Sequence, residues 1–390
     1  MVKAVLPDRE VGRRVARVQH VLSSRLPAEA ARYNAGMPHS VIIGSGREIP
    51  PNRISNAMLS RVMDTTDDWI KERSGIETRY YVDPGTGTSD LGVAAAQRAI
   101  ENAGISKDAI DLIIFATMTP DHYFPGAGGL LQAKLGIKKT PCFDIRQQCV
   151  GFVYGMQLAD AQIRAGFAKT VLLVGAEIHA GFMPYTAANW EYLYSRSDVA
   201  PTPEEFAWNT RFRDRTVLFG DAGGAVVIEA RENGARGVID SILRTDGTEY
   251  DKLIVPGVGS KHRPYVDAEQ IKRGDHIPIV EGRAVFKMAT TLMVEVTHEI
   301  LKKHGLALDD VKLVLMHQAN LRINNYVQKS LGLADDRVYN NIQHYGNTTA
   351  ATIPLLWDEC ARGGRIQPGD LILMVAIGGG VHWGATLLRA

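Results

Sequence analysis

Cys149 stands where a thiol can act as a nucleophile. The extended segment CFDI (142–145) ends shortly before it, and an apolar helix is expected to begin at about Val150. A cysteine on the first turn of a helix faces free backbone N–H groups and the positive end of the helix dipole, which stabilise a thiolate and lower the thiol pKa. The competing interpretation is a buried structural cysteine, as we expect for Cys142 in a strand and Cys360 in a helix.

A base, an amide and a glycine turn accompany this cysteine. His317 ends the apolar strand VKLVLMH (311–317), and open α/β sheets bind ligands beyond the carboxyl ends of their strands, although a structural histidine would fit equally well. Asn347 follows a glycine where a helix begins, so a simple helix cap is the alternative. The glycines of IGGGVHWG (377–384) let backbone N–H groups approach a ligand, or form only a tight hairpin. Together these residues offer a thiolate, a base and an oxyanion hole.

Apolar runs that alternate with helical patterns predict the elements that position these residues. The expected strands are 40–46, 111–117, 142–146, 170–176, 237–243, 311–317, and the final pair 371–377 and 385–390. The expected helices are 88–103, 127–135, 150–165, 284–303, 322–331 and 348–362. Continuous apolar strands separated by helices indicate an α/β fold with buried sheets.

The order of the elements also predicts how the chain is divided. Similar patterns on both sides of the turn-rich RENGARG predict two related halves, residues 37–235 and 236–390. Residues 1–36 are expected to be a surface extension. Residues 178–214 show no clear period, and a structureless loop of that length is uncommon and often functional.

The composition excludes several classes of protein. Lys plus Arg number 44 against 43 Asp plus Glu, and this balance argues against nucleic-acid binding through a strong overall field. No apolar run reaches the ~20 residues of a membrane-spanning helix, and the N-terminus lacks the apolar core of a secretion signal. The 3 cysteines lack CxxC spacing and suit a reducing cytoplasm, and the 11 histidines show no metal-ligand spacing. We therefore expect a cytoplasmic enzyme with no metal and no bound cofactor.

The sequence resembles the ketoacyl synthase III branch of the thiolase superfamily over roughly residues 38–390. The segments that carry the resemblance are DTTDDWIKERSGIETR (64–79), the turn at Cys149, FGDAGGAVV (219–227), EGRAVFKMA (281–289), HQANLRI (317–323), HYGNTTAATIP (344–354) and GDLILMVAIGGGVHWGATL (369–387). The resemblance implies a five-layered αβαβα fold of two related halves, usually a homodimer. It also implies acyl-carrier protein or coenzyme A thioesters as substrates.

The resemblance further implies roles for individual residues. Cys149 matches the acyl-accepting nucleophile, and the Cys149 and Gly379 N–H groups match the oxyanion hole. His317 and Asn347 match the pair that stabilises the enolate of a malonyl or β-ketoacyl thioester. Five further positions match the substrate and coenzyme A site: Trp69, Arg73, Arg213, Asn320 and Arg322. Phe124 matches the residue that reaches across the dimer into the partner's acyl pocket.

Three features depart from the family pattern. Arg146, Gln147 and Gln148 replace the small residues that commonly precede the nucleophile, the segment 178–214 is long and aromatic, and residues 1–36 are additional. These departures favour a specialised enzyme that couples medium or long acyl chains, as in polyketide or fatty-acid-derived metabolism. The alternatives are fatty-acid chain initiation from acyl-CoA and malonyl-carrier protein, and acyl transfer to an alcohol or amine. A non-catalytic partner subunit is a further reading, against which the intact nucleophile counts.

Overall fold

The computed structural model describes residues 37–232 and 236–390, and it confirms the predicted α/β fold. The expected extension 1–36 lies outside the described residues, as do 233–235 at the expected boundary. The strands are β1 His39–Glu48, β2 Asn52–Ser55, β3 Thr78–Tyr81, β4 Leu112–Ala116, β5 Cys142–Ile145, β6 Thr170–Glu177, β7 Ala222–Arg231, β8 Gly237–Thr245, β9 Leu253–Ile254, β10 Ile279–Val280, β11 Leu313–Met316, β12 Leu371–Gly378 and β13 His382–Arg389. The α-helices are α1 Asn56–Leu59, α2 Asp67–Ser74, α3 Thr88–Ala103, α4 Gly128–Leu135, α5 Gly151–Arg164, α6 Ala187–Leu193, α7 Pro203–Arg211, α8 Arg213–Thr216, α9 Ala268–Arg273, α10 Gly282–Lys303, α11 Leu321–Leu331, α12 Ile342–Tyr345 and α13 Thr352–Arg362.

A five-stranded sheet is built from strands that precede residue 232. Its strand order is β1-β7-β6-β4-β5, with β4 parallel to β5 and β6, and with β7 antiparallel to β6 and β1. The strands β4 and β6 are buried along their whole lengths, as expected for central strands that are covered on both faces. The edge strand β5 leads directly into the turn that carries Cys149.

A four-stranded sheet is built from strands that follow residue 236. Its order is β11-β12-β13-β8, and β11 and β12 are parallel while β13 is antiparallel to both of its neighbours. The strands β12 and β13 confirm the predicted final pair around the glycine run. His317 follows β11 directly, so it lies at the carboxyl end of a buried parallel strand, as predicted.

Helices separate and cover the two sheets, which produces five layers. The helices α5 and α13 share one apolar core with the facing sides of both sheets. The helices α3 and α4 cover the outer face of the five-stranded sheet, and α10 and α11 cover that of the four-stranded sheet. In α5 the buried side chains recur every three or four residues, which is the spacing of one helix face. The expected αβαβα architecture is therefore confirmed.

Residues 178–214, in which the sequence shows no clear period, contain several short helices. The segment contains α6, α7, a turn at Ala180–Phe182 and the start of α8. Thr202 and Glu205 form a capping box at the start of α7. The sequence TPEE (202–205) already carries this signal for the start of a helix. The ring of Trp190 packs edge-on against Tyr81 and Tyr185, at 5.0 Å between centroids in each case. The segment is therefore packed into a core with β3 and α2 of its own chain.

The helices of the described ranges also bear on membrane association. No helix within 37–232 or 236–390 combines the length and the apolar character that crossing a bilayer requires.

We expect Trp190→Ala to destabilise the protein by about 3 kcal/mol, because it removes an aromatic side chain from a packed cluster and leaves a cavity. Chemical denaturation measures this as a change in the free energy of unfolding. Phe167→Ala is the control, since Phe167 is 80% exposed and its truncation should change stability by less than about 0.5 kcal/mol. Equal effects of the two substitutions would show that the 178–214 segment contributes nothing to the core.

Candidate active site

Cys149 lies in a tight turn between the edge strand β5 and the helix α5. The turn is a single 3-10 segment, Gln148–Val150, and Gln148 adopts a φ of 47°, a conformation that costs energy for any residue with a side chain. Cys149 is 6% exposed. A Cβ on Gly378 would lie 2.9 Å from the Cys149 nitrogen, so only glycine permits β12 to approach the nucleophile this closely. The predicted position of Cys149 before a helix is confirmed.

The predicted fall in the Cys149 pKa is wrong, because the thiol is buried. Burial raises the pKa of the thiol to about 12, and the nearby carboxylate of Glu177 adds to the rise. Glu177 is itself buried, and burial raises its pKa to about 7. The hydrogen bonds that it accepts from Thr119, Met118 and Thr117 lower the pKa but do not cancel this rise. Desolvation outweighs the Cys149 backbone N–H, which lowers the pKa of the thiol. Ionising Cys149 therefore requires a proton acceptor.

His317 is buried, with neither ring nitrogen paired to any described residue. Its backbone N–H donates to the Val375 carbonyl at 2.9 Å, which fixes the residue beyond the end of β11. Both Nδ1 and Nε2 lack a hydrogen-bond partner among the described residues, although the residue is only 1% exposed. Burial lowers the pKa of His317 to about 3, so the ring is neutral near neutral pH. A neutral imidazole retains one N–H that is free to donate to a ligand.

Asn347 is held in one orientation by its neighbours. Its backbone N–H donates to the Leu218 carbonyl at 2.8 Å, which ties the loop before α13 to the 217–220 segment. Its side-chain Oδ1 accepts from the Thr349 N–H at 2.9 Å. Since the carbonyl end of the amide is used in this way, the Nδ2 donor remains for a ligand. The bond to the Thr349 N–H is the one that a cap or turn asparagine makes, so this hydrogen bond fits both the cap interpretation and a catalytic one.

One cavity of about 130 Å³ brings the three predicted catalytic residues together. Its lining includes Cys149, His317, Asn347, Asn320 and Gly379. Residues from both halves of the chain therefore meet at this cavity. Whether the Gly379 N–H forms the second oxyanion donor stays a prediction, although its turn lines the cavity beside Cys149.

A larger cavity of about 720 Å³ meets the first one at the nucleophile. Cys149, Phe219 and Leu253 line both cavities. The lining of the larger space includes Met118, Ile178 and Phe182, together with residues of the segment 250–258. Cys149 therefore lies where two cavities meet, an arrangement that can hold two acyl groups.

Trp69, Arg73 and Arg213 form a stack on the surface. The Arg73 and Arg213 guanidinium carbons lie 4.5 Å and 4.9 Å from the Trp69 ring centroid. Arg213 also pairs with Asp64, at 2.9 Å between Nη1 and Oδ2. Three of the predicted coenzyme A residues therefore lie together, although Arg213 is distant in the sequence from Trp69 and Arg73.

The remaining predicted residues occupy different places. Asn320 caps α11 by accepting from the Arg322 N–H, and its Nδ2 donates to the Arg73 carbonyl at 2.8 Å. Asn320 thus links the small cavity to the stack at Trp69, whereas the exposed Arg322 lines neither cavity. Phe124 is 82% exposed and lines neither cavity of its own chain. Its contact with a partner subunit stays a prediction.

Sequence reasoning missed residues 246–281 and the buried pair His179 and Thr349. The missed segment contains β9, β10 and α9, and it supplies walls to both cavities. His179 and Thr349 are buried, and they hydrogen-bond to each other at 2.8 Å between Nε2 and Oγ1. The position of His179 just beyond the end of β6 was the available signal, because ligand sites of α/β sheets lie at carboxyl ends of strands.

Two related sheets around a helical layer, with a buried cysteine, histidine and asparagine on one cavity, define a thiolase-superfamily acyltransferase. Models of the 3-oxoacyl-[acyl-carrier-protein] synthase III family match residues 143–197 and 205–247, and a model of its C-terminal part matches residues 301–390. A beta-ketoacyl-[acyl-carrier-protein] synthase III of Rhizorhabdus wittichii is 40% identical over 355 residues, which cover 90% of this chain and 100% of that protein. The chain therefore belongs to the beta-ketoacyl-[acyl-carrier-protein] synthase III family and is a condensing acyltransferase.

Solved structures support the same assignment. The 3-oxoacyl-[acyl-carrier-protein] synthase III of Aquifex aeolicus superposes with a TM-score of 0.76 at 36% identity, over 90% of this chain and 100% of that one. The priming beta-ketosynthase of the R1128 polyketide pathway superposes with a TM-score of 0.77 at 27% identity, over 90% of this chain and 97% of that one. The fold is therefore common to a 3-oxoacyl-[acyl-carrier-protein] synthase III and a priming beta-ketosynthase of a polyketide pathway.

The burial of His317 predicts a specific pH dependence of stability. Its pKa is about 3 in the folded chain and ~6.5 when unfolded, so the unfolded state binds more protons between these values and stability falls as pH falls. Between pH 7 and pH 5 this residue should cost about 2 kcal/mol of unfolding free energy. Denaturation of wild type and His317→Asn at both pH values isolates the effect, because the other buried acids and bases are shared. Equal pH slopes for the two proteins would contradict a buried neutral His317.

Proposed function

We propose that this enzyme loads an acyl group onto Cys149 and joins it to a malonyl or β-ketoacyl thioester by Claisen condensation. The observation that carries the proposal is the small cavity lined by Cys149, His317 and Asn347, where neither ring nitrogen of His317 has a partner among the described residues. Buried polar atoms without partners are costly, so their persistence indicates a ligand that completes them. A thioester carbonyl is such a ligand.

The first half-reaction transfers the acyl group. The Cys149 sulfur attacks the carbonyl carbon of an acyl thioester, and the tetrahedral oxyanion is held by the N–H groups of Cys149 and Gly379. The carbon–sulfur bond to the carrier then breaks, so the carrier thiol departs and Cys149 carries the acyl chain. The larger cavity beside Cys149 receives that chain.

The second half-reaction forms the carbon–carbon bond. The extender thioester enters the small cavity, where His317 and Asn347 donate hydrogen bonds to its carbonyl oxygen. Loss of carbon dioxide from a malonyl group, or transfer of an acidic α-proton of a β-ketoacyl group to water, leaves an enolate, whose negative charge these two donors stabilise. The enolate carbon attacks the acyl carbonyl on Cys149, and the cysteine leaves as a thiolate. The neutral state of His317 suits this step because an imidazole with a free N–H is a donor.

The size of the larger cavity supports an acyl group longer than acetyl. Its volume of about 720 Å³ falls within the ~300–1,000 Å³ of typical ligand pockets, and a two-carbon group would leave most of it unfilled. This favours the use of medium or long acyl chains in specialised metabolism. The second candidate is fatty-acid chain initiation, which the 40% identity to a beta-ketoacyl-[acyl-carrier-protein] synthase III favours.

The carriers and the assembly belong to the same proposal. The stack of Arg73, Trp69 and Arg213 combines an aromatic face with two cations, which suits the adenine and phosphates of coenzyme A. A carrier protein would bring its pantetheine arm past Asn320 into the same cavity. The exposed Phe124 supports a homodimer in which it reaches the partner's acyl pocket. No bound cofactor is required by either half-reaction, and we place the enzyme in the cytoplasm.

The chain-length proposal predicts how rapidly different donors load Cys149. Each methylene that enters the larger cavity should add about 0.8 kcal/mol, so octanoyl-CoA should load with kcat/KM more than about 100-fold above acetyl-CoA. Intact-protein mass spectrometry over acyl-CoAs and acyl-carrier proteins measures this. Cys149→Ala should accept no acyl group.

Two further variants sharpen the chain-length experiment. Gly181→Leu should shift the preference to shorter chains, because Gly181 lines the large cavity and its missing Cβ faces open space. Gly129→Leu is the matched control, since Gly129 lines neither cavity and is equally open. A preference for acetyl-CoA by wild type would support chain initiation instead.

The roles of His317 and Asn347 predict a separation of the two half-reactions. His317→Ala and Asn347→Ala should each reduce condensation by about 10²–10³-fold, the effect of losing one oxyanion donor, while the acyl-enzyme still forms. Mass spectrometry of the acyl-enzyme, followed by product analysis after the extender is added, distinguishes the two steps. Variants that condense at the wild-type rate once loaded would contradict the assignment.

A further inference from the structure

The large cavity beside Cys149 is lined by polar side chains as well as apolar ones. The polar members include Asp121, Tyr123, Arg146 and Gln148, which come from two segments of the chain. These segments lie close together, because the Arg146 guanidinium carbon is 5.9 Å from the Tyr123 ring centroid. A chain of carbon and hydrogen alone cannot form hydrogen bonds with any of these groups. The polar lining therefore bears on which acyl groups the cavity receives.

Three of these four polar groups need no ligand. The Asp121 carboxylate accepts hydrogen bonds from the Ser89 backbone N–H at 2.9 Å and from the Ser89 hydroxyl at 2.7 Å. Tyr123 is 57% exposed and Arg146 is also exposed, so water can solvate the polar ends of both side chains. Their presence in the lining is therefore explained without a polar substrate.

The amide of Gln148 is the exception. Its Oε1 is buried and has no hydrogen-bond partner among the described residues. Within the described part of the chain, no other buried side-chain nitrogen or oxygen of this lining lacks a partner. A buried amide oxygen without a partner costs free energy, and a saturated acyl chain beside it would leave that cost in place. The lining therefore favours an acyl group that completes this amide.

The place of Gln148 in the chain locates its amide along a loaded acyl group. Gln148 directly precedes Cys149, and consecutive Cα atoms are about 3.8 Å apart. Both residues line the same cavity. An acyl chain attached to the Cys149 sulfur therefore passes the Gln148 amide within its first few carbons rather than at its far end.

We propose that the acyl donor carries a hydroxyl group on carbon 3, and that this hydroxyl pairs with the Gln148 amide. The inference rests on the proposed function, in which the large cavity receives the acyl chain. A hydroxyl both donates and accepts, so it can pair with the oxygen or with the NH₂ group of the amide. Gln148 is then a specificity-determining residue that touches the substrate.

The hydroxyl takes no part in bond formation but changes the product. The sulfur–carbon bond to Cys149 forms and breaks as in the two half-reactions above, and a malonyl extender loses carbon dioxide. The carbonyl carbon of the donor becomes carbon 3 of the product, so the hydroxyl moves from carbon 3 to carbon 5. The product is a 5-hydroxy-3-oxoacyl thioester. The reaction that supplies the donor must place a hydroxyl on carbon 3, as reduction of a 3-oxoacyl thioester does.

The experiment compares three eight-carbon donors on the full-length enzyme, namely octanoyl-CoA, each enantiomer of 3-hydroxyoctanoyl-CoA, and 8-hydroxyoctanoyl-CoA. Intact-protein mass spectrometry measures the rate at which each donor loads Cys149. We expect the better 3-hydroxy enantiomer to load at least about 10-fold faster than octanoyl-CoA, because it pairs with the buried amide. The 8-hydroxy donor carries the same group at the far end and should load no faster than octanoyl-CoA.

The variant Gln148→Leu separates substrate recognition from a merely structural role of Gln148. Leucine is of similar size but has no amide, so the ratio of 3-hydroxyoctanoyl to octanoyl loading should fall to about 1. Damage to the turn would slow both donors alike and leave this ratio unchanged. Gln147→Leu is the matched control, since Gln147 is the neighbouring half-buried glutamine and lines neither cavity. Its ratio should equal that of wild type.

The possible outcomes separate this inference from the proposed function. A 3-hydroxy preference that Gln148→Leu removes and Gln147→Leu keeps supports the inference. Equal loading of the 3-hydroxy and saturated donors by wild type would overturn it, and this comparison needs no variant. An unchanged ratio in Gln148→Leu, or an equal gain with 8-hydroxyoctanoyl-CoA, would also overturn it. If no donor loads Cys149, the proposed function itself is contradicted, and the inference with it.

Discussion

Close contact between the two halves of the chain at glycine positions is the constraint on which the rest of the site depends. A Cβ on Gly378 of the second half would lie 2.9 Å from the Cys149 nitrogen of the first. A Cβ on Gly175 would lie 2.3 Å from the Ala350 carbonyl, and one on Gly220 would lie 2.3 Å from the Tyr345 carbonyl. No side chain fits at these distances, so glycine lets the loops of one half lie directly on the strands of the other. Neither half holds a complete site alone.

Burial determines the protonation state of the groups assembled in this way. It holds His317 and His179 neutral and also holds the Cys149 thiol protonated. The first effect suits an imidazole that donates a hydrogen bond to a forming enolate. The second effect means that the nucleophile has to be ionised at the moment of use. A site that excludes water strengthens its hydrogen bonds, and the same exclusion creates the need for a proton acceptor.

The regular elements were predictable because their patterns are local. The helix expected at 88–103 is observed as Thr88–Ala103, and that expected at 284–303 as Gly282–Lys303. The short helices within 178–214 were missed, since seven to nine residues give little periodicity and their burial depends on Tyr81 and other distant partners. The segment 246–281 was missed because its short strands pair only with each other.

The catalytic residues were predictable to a different degree. Cys149, His317 and Asn347 carried local signals, namely a turn before a helix, a strand end and a glycine before a helix. The rise in the Cys149 pKa was not predictable, because it depends on full burial and on Glu177, which arrives from another strand. The contact between His179 and Thr349 joins residues 170 positions apart, so only the folded chain reveals it.

The most direct test of the account is a crystal structure of the Cys149→Ala variant with malonyl-coenzyme A. The account predicts that the thioester carbonyl oxygen lies within about 3 Å of one His317 ring nitrogen and of Asn347 Nδ2. It also predicts that the malonyl carbon faces the position of the missing sulfur, with the coenzyme extending past Asn320 towards Trp69. A thioester carbonyl bound away from His317 and Asn347 would contradict the account.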